Sequence, residues 1–253
     1  PWNQKQISET TTSAAQDNAD FTEYVNNLFA DLLSADMVSL HAYVEHPKDF
    51  GINDYEITLG RYDLDNPDDS SDYTDIISPL KSFHRNSLSA KQQITLDELL
   101  MYMENELEYS DLYMFNTQLQ TTTGIHVQLP LLFAEYTFEE KKDIDEYIEL
   151  LCDVDGYFEN MAAFEKLRAD NGYFMEDTLA DEVIESCNSF LETACSEDGA
   201  MISTFNEKIA SVDGLSDQDI ADYKTKNVSA VNEHVIPGYQ SLVNALTSLK
   251  GSN

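Results

Sequence analysis

The chain has 253 residues, of which 42% are apolar. This content is enough for a hydrophobic core and excludes a wholly disordered chain, while 9 glycines and 6 prolines are fewer than a turn-rich all-β sandwich needs. The 48 acidic and 14 basic residues give a net charge of −34, which disfavours binding to nucleic acids and anionic membrane surfaces because both are negatively charged.

Residues 1–19 are mostly Gln, Ser, Thr, Ala and acidic residues, and we interpret them as a flexible tether. From Phe21 to Leu33 apolar residues recur with the spacing of an amphipathic helix, and Asp17 or Asp20 is the predicted N-cap. A tether before a folded body suits a surface lipoprotein whose anchor has been removed, and a cloning remnant suits it almost as well. No apolar run approaches the ~18–20 residues of a membrane-spanning helix.

A shorter helix is predicted over Asp36–Glu45, ending before Pro47. Residues 47–72 lack a helical period and are rich in Asp, so we predict one long acidic loop with a short extended piece, Glu56–Leu59. The Asp-rich stretch 63–74 resembles a calcium loop but departs from the EF-hand pattern at positions five, six and twelve. We interpret it as a solvated loop, with a weak, non-specific cation site as the alternative.

Helices resume at Tyr73–His84 and again at Ser89, where Ser89-Ala-Lys-Gln92 forms a capping box. Residues 110–125 are irregular in pattern. The apolar stretch Leu129–Tyr136 predicts a short helix with Pro130 in its first turn, where the missing N–H of proline is tolerated.

Capping boxes at Thr137–Glu140 and Ser216–Asp219 predict two further helix starts, and Gly172 is the predicted left-handed C-cap of the helix between them. Pro237 must kink or break the last helix, since an interior proline costs ~3 kcal/mol. The remaining helices are predicted to begin at Thr137 and to cover Val154–Asn171, Thr178–Ala194, Ala200–Val212 and Ser216 to about Leu249. The predicted fold is all-α, an irregular array of about nine or ten helices, with residues 20–250 as a single helical domain and 251–253 as the start of a linker.

Catalytic and metal-binding motifs are missing from the sequence. The pair His41 and His46 comes near an inverted zinc motif, but five residues at ~100° each place the two imidazoles ~140° apart around a helix. The three cysteines have no metal-type spacing, and Cys187 lies on an apolar helical stripe. There is no Gly-x-Ser-x-Gly and no phosphate loop, so no catalytic residue and no metal ligand is assigned.

Five stretches carry a recognisable pattern, namely Ser39-Leu-His41, Thr58-Leu-Gly60, Thr122–Phe138, Ile202–Ile209 with Leu215, and Val235–Leu242. Together, and in order over nearly all of residues 20–250, they resemble one bacterial family, the domain-of-unknown-function family 885. Gly238 stands where the family is expected to have a small residue such as Ala.

Members of this family are longer than this chain and are similar to gluzincin-type zinc metallopeptidases, with His-Glu-x-x-His in the C-terminal half. The resemblance implies that the chain is the N-terminal helical region of a cell-surface, extracytoplasmic lipoprotein with zinc-peptidase-like hydrolase activity. It implies no cofactor in this chain, zinc in the missing C-terminal half, and that half as the partner, together with a peptide substrate. No nucleic-acid partner and no membrane insertion beyond a removed lipid anchor are expected.

Two polar residues within an apolar segment, His126 and Gln128, are candidates for a substrate-facing wall. This assignment rests on their polarity and on the resemblance, and a satisfied buried amide is the equal alternative. The alternative function is a self-standing extracellular binding or interaction module without catalysis. The apolar stripe of the last helix, which continues to Leu249, favours the first function because such a face needs a cover.

Overall fold

The computed structural model describes residues 2–35, 37–44, 46–65, 67, 70–194, 196 and 199–252, with side chains from residue 15 onward. Within these ranges all regular structure is helical, which confirms the all-α prediction. The α-helices are α1 (Trp2–Ser34), α2 (Met37–Tyr43), α3 (Ser70–Ser82), α4 (Ala90–Tyr109), α5 (Ile125–Glu135), α6 (Lys141–Cys152), α7 (Val154–Asp170), α8 (Asp177–Ala194), α9 (Ala200–Ile209), α10 (Asp217–Ala230) and α11 (Ile236–Leu249).

Short 3₁₀ helices cover Pro47–Phe50, Arg85–Ser87 and Ser110–Phe115, and a π-helical turn, Val231–Val235, joins α10 to α11. When α6–α7 and α10–α11 are counted as continuous stretches, the described ranges hold nine helices, as predicted. In the part of the chain that the structure describes, none of the helices combines the length and the apolar character needed to span a bilayer.

The helices form two compact units. The first contains Pro1–Leu33, Lys48–Ile52 and Asp65–Tyr113, and the second contains Ser34–Pro47, Asn53–Leu64 and Met114–Asn253. The core of the first unit is a cluster of buried side chains from α1, α3 and α4 and the segment between the last two, namely Phe21, Leu80, Leu88 and Leu96. The assignment of residues 20–250 to a single helical domain stays a prediction.

Helix α1 begins at Trp2, so Asp17 and Asp20 lie inside it and are not its N-cap. Residues 2–19, which the sequence assigned to a tether, belong to this helix. The physical reason is that they contain neither glycine nor proline, so nothing in them stops a helix that the apolar stripe further along stabilises. Asn18 donates to the Ser87 carbonyl at 2.7 Å and accepts from the Ser89 N–H at 2.8 Å.

The predicted capping boxes agree with the structure at two of three places. Ser89 and Ser216 cap α4 and α10 as predicted. The box predicted at Thr137–Glu140 is wrong, because α6 begins only at Lys141. Glu140 is the N-cap residue instead of Thr137, and the carboxylate of Asp143 accepts from the N–H groups of Glu139 and Glu140, the role that the prediction gave to the Glu140 side chain.

Other predicted boundaries fall within a few residues of the observed ones. Gly172 has the predicted left-handed conformation, with φ +76. The helix predicted over Asp36–Glu45 appears as α2, and the two end residues of that prediction, 36 and 45, lie outside the described residues. Residues 66, 68 and 69 of the calcium-like stretch and residue 253 of the predicted linker also lie outside them. The predicted extended piece Glu56–Leu59 has no regular secondary structure.

Helices α7 and α11 approach each other closely in the second unit, and Gly238 makes this approach possible. A Cβ atom at Gly238 would lie 3.1 Å from the Asp155 Cα atom and 3.1 Å from the Val154 carbonyl oxygen, which is tighter than ordinary van der Waals contact. Pro237 does not break the last stretch, because it stands at the start of α11, directly after the π-helical turn. The turn changes the hydrogen-bond register at the point where proline provides no donor.

Candidate functional site

Helix α5 begins at a sharp turn that only glycine permits. Gly124 is the N-cap residue, and a Cβ atom there would lie 2.4 Å from the carbonyl oxygen of Gln120, closer than non-bonded atoms approach one another. The Ile125 N–H donates to the Gln118 carbonyl at 2.9 Å and holds the preceding segment against the first turn. The helix therefore starts before the predicted Leu129.

His126 lies in the first turn of α5 and is only 2% exposed. Neither of its ring nitrogens has a hydrogen-bond partner among the described residues. Burial lowers the pKa of the imidazole to about 4, because the charged form loses its hydration, so the ring is neutral at neutral pH. The structure places His126 in the interior of the second unit and not on the solvent-facing side of α5.

The early start of α5 puts Pro130 in the interior of the helix, not in its first turn as predicted. An interior proline has no N–H to donate to the carbonyl four residues earlier, which here belongs to His126. The hydroxyl of the fully buried Tyr239 donates to this carbonyl oxygen at 2.7 Å. Tyr239 on α11 thus replaces the hydrogen bond that Pro130 removes.

The other end of α5 is capped by Lys208 of α9. Its ammonium donates to the carbonyl oxygens of Phe133, Ala134 and Tyr136 at 3.0, 3.1 and 2.7 Å. These carbonyls would otherwise lack partners at the helix C-terminus, where a positive charge is also favoured by the helix dipole. Both ends of α5 are therefore held by side chains from elsewhere in the second unit.

Helix α2 contacts the segment after α5 through His41. The imidazole stacks on the ring of Tyr136 with centroids 3.7 Å apart, and its Nε2 atom accepts from the Thr137 N–H at 3.3 Å. Burial lowers the pKa of His41, although the nearby carboxylates of Asp143 and Glu146 favour the charged ring. The Nε2 atom of His41 thus has its partner in Thr137.

The loop over residues 53–64 lies on the junction of α6 and α7. The Arg61 guanidinium makes a bidentate ion pair with Asp153 at 2.6 and 3.0 Å, and the same carboxylate accepts from the Leu59 N–H at 2.8 Å. A Cβ atom at Gly156 would lie 2.9 Å from the guanidinium, so glycine makes room for it. The Thr58-Leu-Gly60 stretch is thereby fixed to the second unit.

The exposed side of α5 carries Gln128, Leu131 and Glu135, which follow one another at helical spacing and lie on one face. Leu131 is 59% exposed although it is a large apolar residue. The Gln128 side-chain amide donates to the Thr123 carbonyl, which orients it and leaves its oxygen without a partner among the described residues. We call these three side chains the α5 face.

Of the three residues of the α5 face, the sequence singled out only Gln128 and not Leu131 or Glu135. The signal was present as the three- and four-residue spacing from Gln128, but it was hidden because the helix was predicted to begin only at Leu129. Among the residues that the structure describes, no group of three or more His, Cys, Asp or Glu side chains is arranged to hold a metal ion.

A family model described as "Bacterial protein of unknown function (DUF885)" matches residues 58–252. The chain belongs to the DUF885 family. The resemblance inferred from the sequence is thereby confirmed. All five stretches that carry it contribute contacts described above, and four of them lie within the matched residues, whereas Ser39–His41 lies before them. No curated protein matches the DUF885 chain.

The DUF885 chain is similar in structure to a protein from Colwellia psychrerythraea that is described as a "putative lipoprotein". The TM-score is 0.76 at 16% sequence identity, and the match covers 93% of this chain and 42% of the Colwellia chain. At this identity the likeness shows a shared fold. The chain therefore spans less than half the length of this Colwellia chain.

Proposed function

We propose that the chain is the N-terminal helical region of a cell-surface, zinc-metallopeptidase-like hydrolase, and that the α5 face forms part of the wall of its substrate cleft. Membership of the DUF885 family and the match to less than half of a longer lipoprotein-like structure support this proposal. The observation that carries it is that an exposed Gln128, Leu131 and Glu135 stand on a helix held at both ends by Tyr239 and Lys208.

Such a face suits an extended peptide. The free oxygen of Gln128 can accept a backbone N–H of the substrate, and Leu131 offers an apolar contact beside it. A wall residue is useful only if its position is fixed, because small displacements of a bound substrate are costly in rate. The role of this chain is therefore to bind and orient the substrate and to exclude water.

Zinc does not fit the side chains of this chain, since the described residues contain no suitable group of ligands. We assign the metal of the proposed hydrolase, and with it bond cleavage, to the C-terminal half of the longer polypeptide. The description of the Colwellia neighbour as a "putative lipoprotein" supports an extracytoplasmic location for the whole protein.

The proposal is tested by digesting a peptide library with the chain alone and with the full-length polypeptide encoded by its gene. We expect no cleavage by the chain alone, and cleavage by the full-length protein that is abolished by a chelator and restored by zinc. Cleavage by the chain alone, or chelator-resistant cleavage by the full-length protein, would contradict the proposal. If neither form cleaves, the interaction module without catalysis becomes the better description.

The α5 face is tested separately in the full-length protein with Gln128→Ala and Leu131→Ser. Both side chains are at the surface, so we expect KM to rise while the melting temperature stays unchanged. Glu182→Gln on the exposed side of α8 is the control and is expected to leave KM unchanged. An unchanged KM in both α5 variants would remove this face from the cleft and leave the peptidase assignment intact.

A further inference from the structure

Helix α4 has two apolar faces, and only one of them is covered. Leu96 belongs to the core cluster of the first unit, and both Leu96 and Met103, which lie on one side of the helix, are almost fully buried. Four other large side chains of the helix are more than half exposed: Ile94 at 58%, Met101 at 69%, Tyr102 at 57% and Tyr109 at 53%. At ~100° and ~1.5 Å per residue they lie within an arc of about 100° over about 22 Å. We call them the α4 stripe.

Carboxylates border and interrupt the α4 stripe. An open groove of about 400 Å³ on α4 is lined by Met101 and Leu100 together with the carboxylates Asp97, Glu104 and Glu108. Lys81 pairs with Glu104 at 2.7 Å.

Arg85 pairs with Asp97 at 2.8 Å, whereas Glu98 and Glu108 have no ion-pair partner among the described residues. The stripe is thus an exposed apolar surface that carries uncompensated negative charge.

We propose that the α4 stripe is a docking site for a cationic amphipathic helix of a partner polypeptide. The apolar residues of such a helix would cover Ile94 and Met101, and its Lys or Arg side chains would pair with Glu98 and Glu108. The length of the stripe fits a partner helix of about four turns. This proposal does not rest on the proposed function, because none of its residues belongs to the α5 face.

Charge decides between the possible occupants of the stripe. A second copy of the chain would bring a further net charge of −34 and the same unpaired carboxylates against the first, and like charges at close range oppose association. An anionic lipid surface is disfavoured for the same reason. A cationic partner gains both from the apolar contact and from the two unpaired carboxylates.

The experiment measures the binding of a fluorescent amphipathic peptide of about 18 residues, built from Leu and Lys at helical spacing, to the chain by anisotropy. The control peptides are a scrambled sequence of the same composition and a peptide with Glu in place of Lys. We expect the amphipathic cationic peptide to bind at least about tenfold more tightly than either control. If the scrambled peptide bound equally well, the binding would depend only on the overall charge of the peptide and not on an amphipathic helix, and the proposal would be overturned.

Paired variants locate the site. The double variant Ile94→Gln with Met101→Gln keeps the charge and is expected to weaken binding by about tenfold or more at any salt concentration, since it removes apolar contact. Glu98→Gln with Glu108→Gln is expected to weaken binding at low salt and to flatten its salt dependence. The matched control Glu182→Gln with Glu185→Gln makes the same charge change on the exposed side of α8 and is expected to have no effect.

Circular dichroism of each variant checks that the fold is retained, and a photo-crosslinking peptide gives an independent readout that should label α4 in the unmodified chain. The proposal would be overturned if the Ile94 and Met101 double variant bound the cationic peptide with wild-type affinity. It would also be overturned if the peptide crosslinked outside α4 or did not bind at all. Concentration-dependent dimerisation that this double variant abolishes would overturn it as well, because the stripe would then be occupied by a second copy.

Discussion

Helices α5 and α4 both expose large apolar side chains, but they are stabilised in different ways. The ends of α5 depend on polar side chains from distant parts of the chain, with Tyr239 at one end and Lys208 at the other. Helix α4 begins at its own capping box and packs through its buried face. Substitutions that break the polar contacts around α5 should therefore destabilise the fold, whereas substitutions on the α4 stripe should change binding and leave stability unchanged.

The largest expected effect concerns the segment that leads into α5. Arg168 and Glu165 form a buried ion pair at 2.6 Å, and Arg168 also donates to the Met114 carbonyl at 2.6 Å. Arg168→Met would leave the carboxylate of Glu165 buried without its partner, and we expect a loss of about 3–5 kcal/mol in the free energy of unfolding. Chemical denaturation followed by circular dichroism measures it.

The control is Lys166→Met in the same helix, which breaks the solvent-exposed pair of Lys166 with Asp170 at 2.7 Å. Because exposed ion pairs are screened by water, we expect this change to cost about 0–1 kcal/mol. Equal losses in the Arg168 and Lys166 variants would show that the buried pair does not hold this region.

The next largest loss of stability is expected at the hydrogen bond from the Tyr239 hydroxyl to the His126 carbonyl, which replaces the backbone hydrogen bond that Pro130 cannot make. Tyr239→Phe leaves the carbonyl of His126 buried without a donor, and we expect a loss of about 1–3 kcal/mol. In a Pro130→Ala background the helix regains its own N–H for this carbonyl, so the same Tyr239→Phe change should cost less. A double-mutant cycle measures the difference, and additive losses would refute the compensation.

Features of α4 and α5 that depend on residues close together in the chain can be predicted from the sequence, whereas those that depend on distant residues cannot. The capping boxes of α4 and α10 and the left-handed Gly172 are local patterns, and they were predicted correctly. The start of α5 at Gly124 depends on a close approach to Gln120, and the partner of the His126 carbonyl lies 113 residues further along the chain. No local pattern in one sequence reports such contacts, so the solvent-facing side of α5 was only partly predicted.

The interior position of His126 predicts a dependence of stability on pH. Its pKa is lowered from 6.5 to about 4 by burial, so between these values the unfolded chain binds a proton that the folded chain does not. The contribution of His126 is therefore fully present above 6.5 and is lost as the pH falls towards 4. Relative to His126→Phe, the wild-type protein should lose stability over this interval.

Denaturation of the wild-type protein and the His126→Phe variant at a series of pH values measures the difference between their free energies of unfolding. The titration of the many carboxylates is common to both proteins and cancels in this difference. A constant difference between the wild type and the His126 variant would mean that this imidazole has the same proton affinity in both states.

The smallest change in stability is expected for substitutions on the α4 stripe. This distinguishes α4 from α5, where substitutions of the supporting polar contacts should destabilise the fold. Met101 is 69% exposed, so folding removes little of its surface from water, and exposed substitutions usually change stability by less than about 0.5 kcal/mol. Met101→Gln should therefore leave the denaturation midpoint unchanged, while Met103→Gln, two residues further and buried, should lower it clearly because it buries an amide. If Met101→Gln were as destabilising as Met103→Gln, the side chain would belong to the core of the first unit, and the stripe would have no free apolar surface to offer a partner. An unchanged midpoint, together with lost binding of the cationic helix, would assign Met101 to recognition and not to folding.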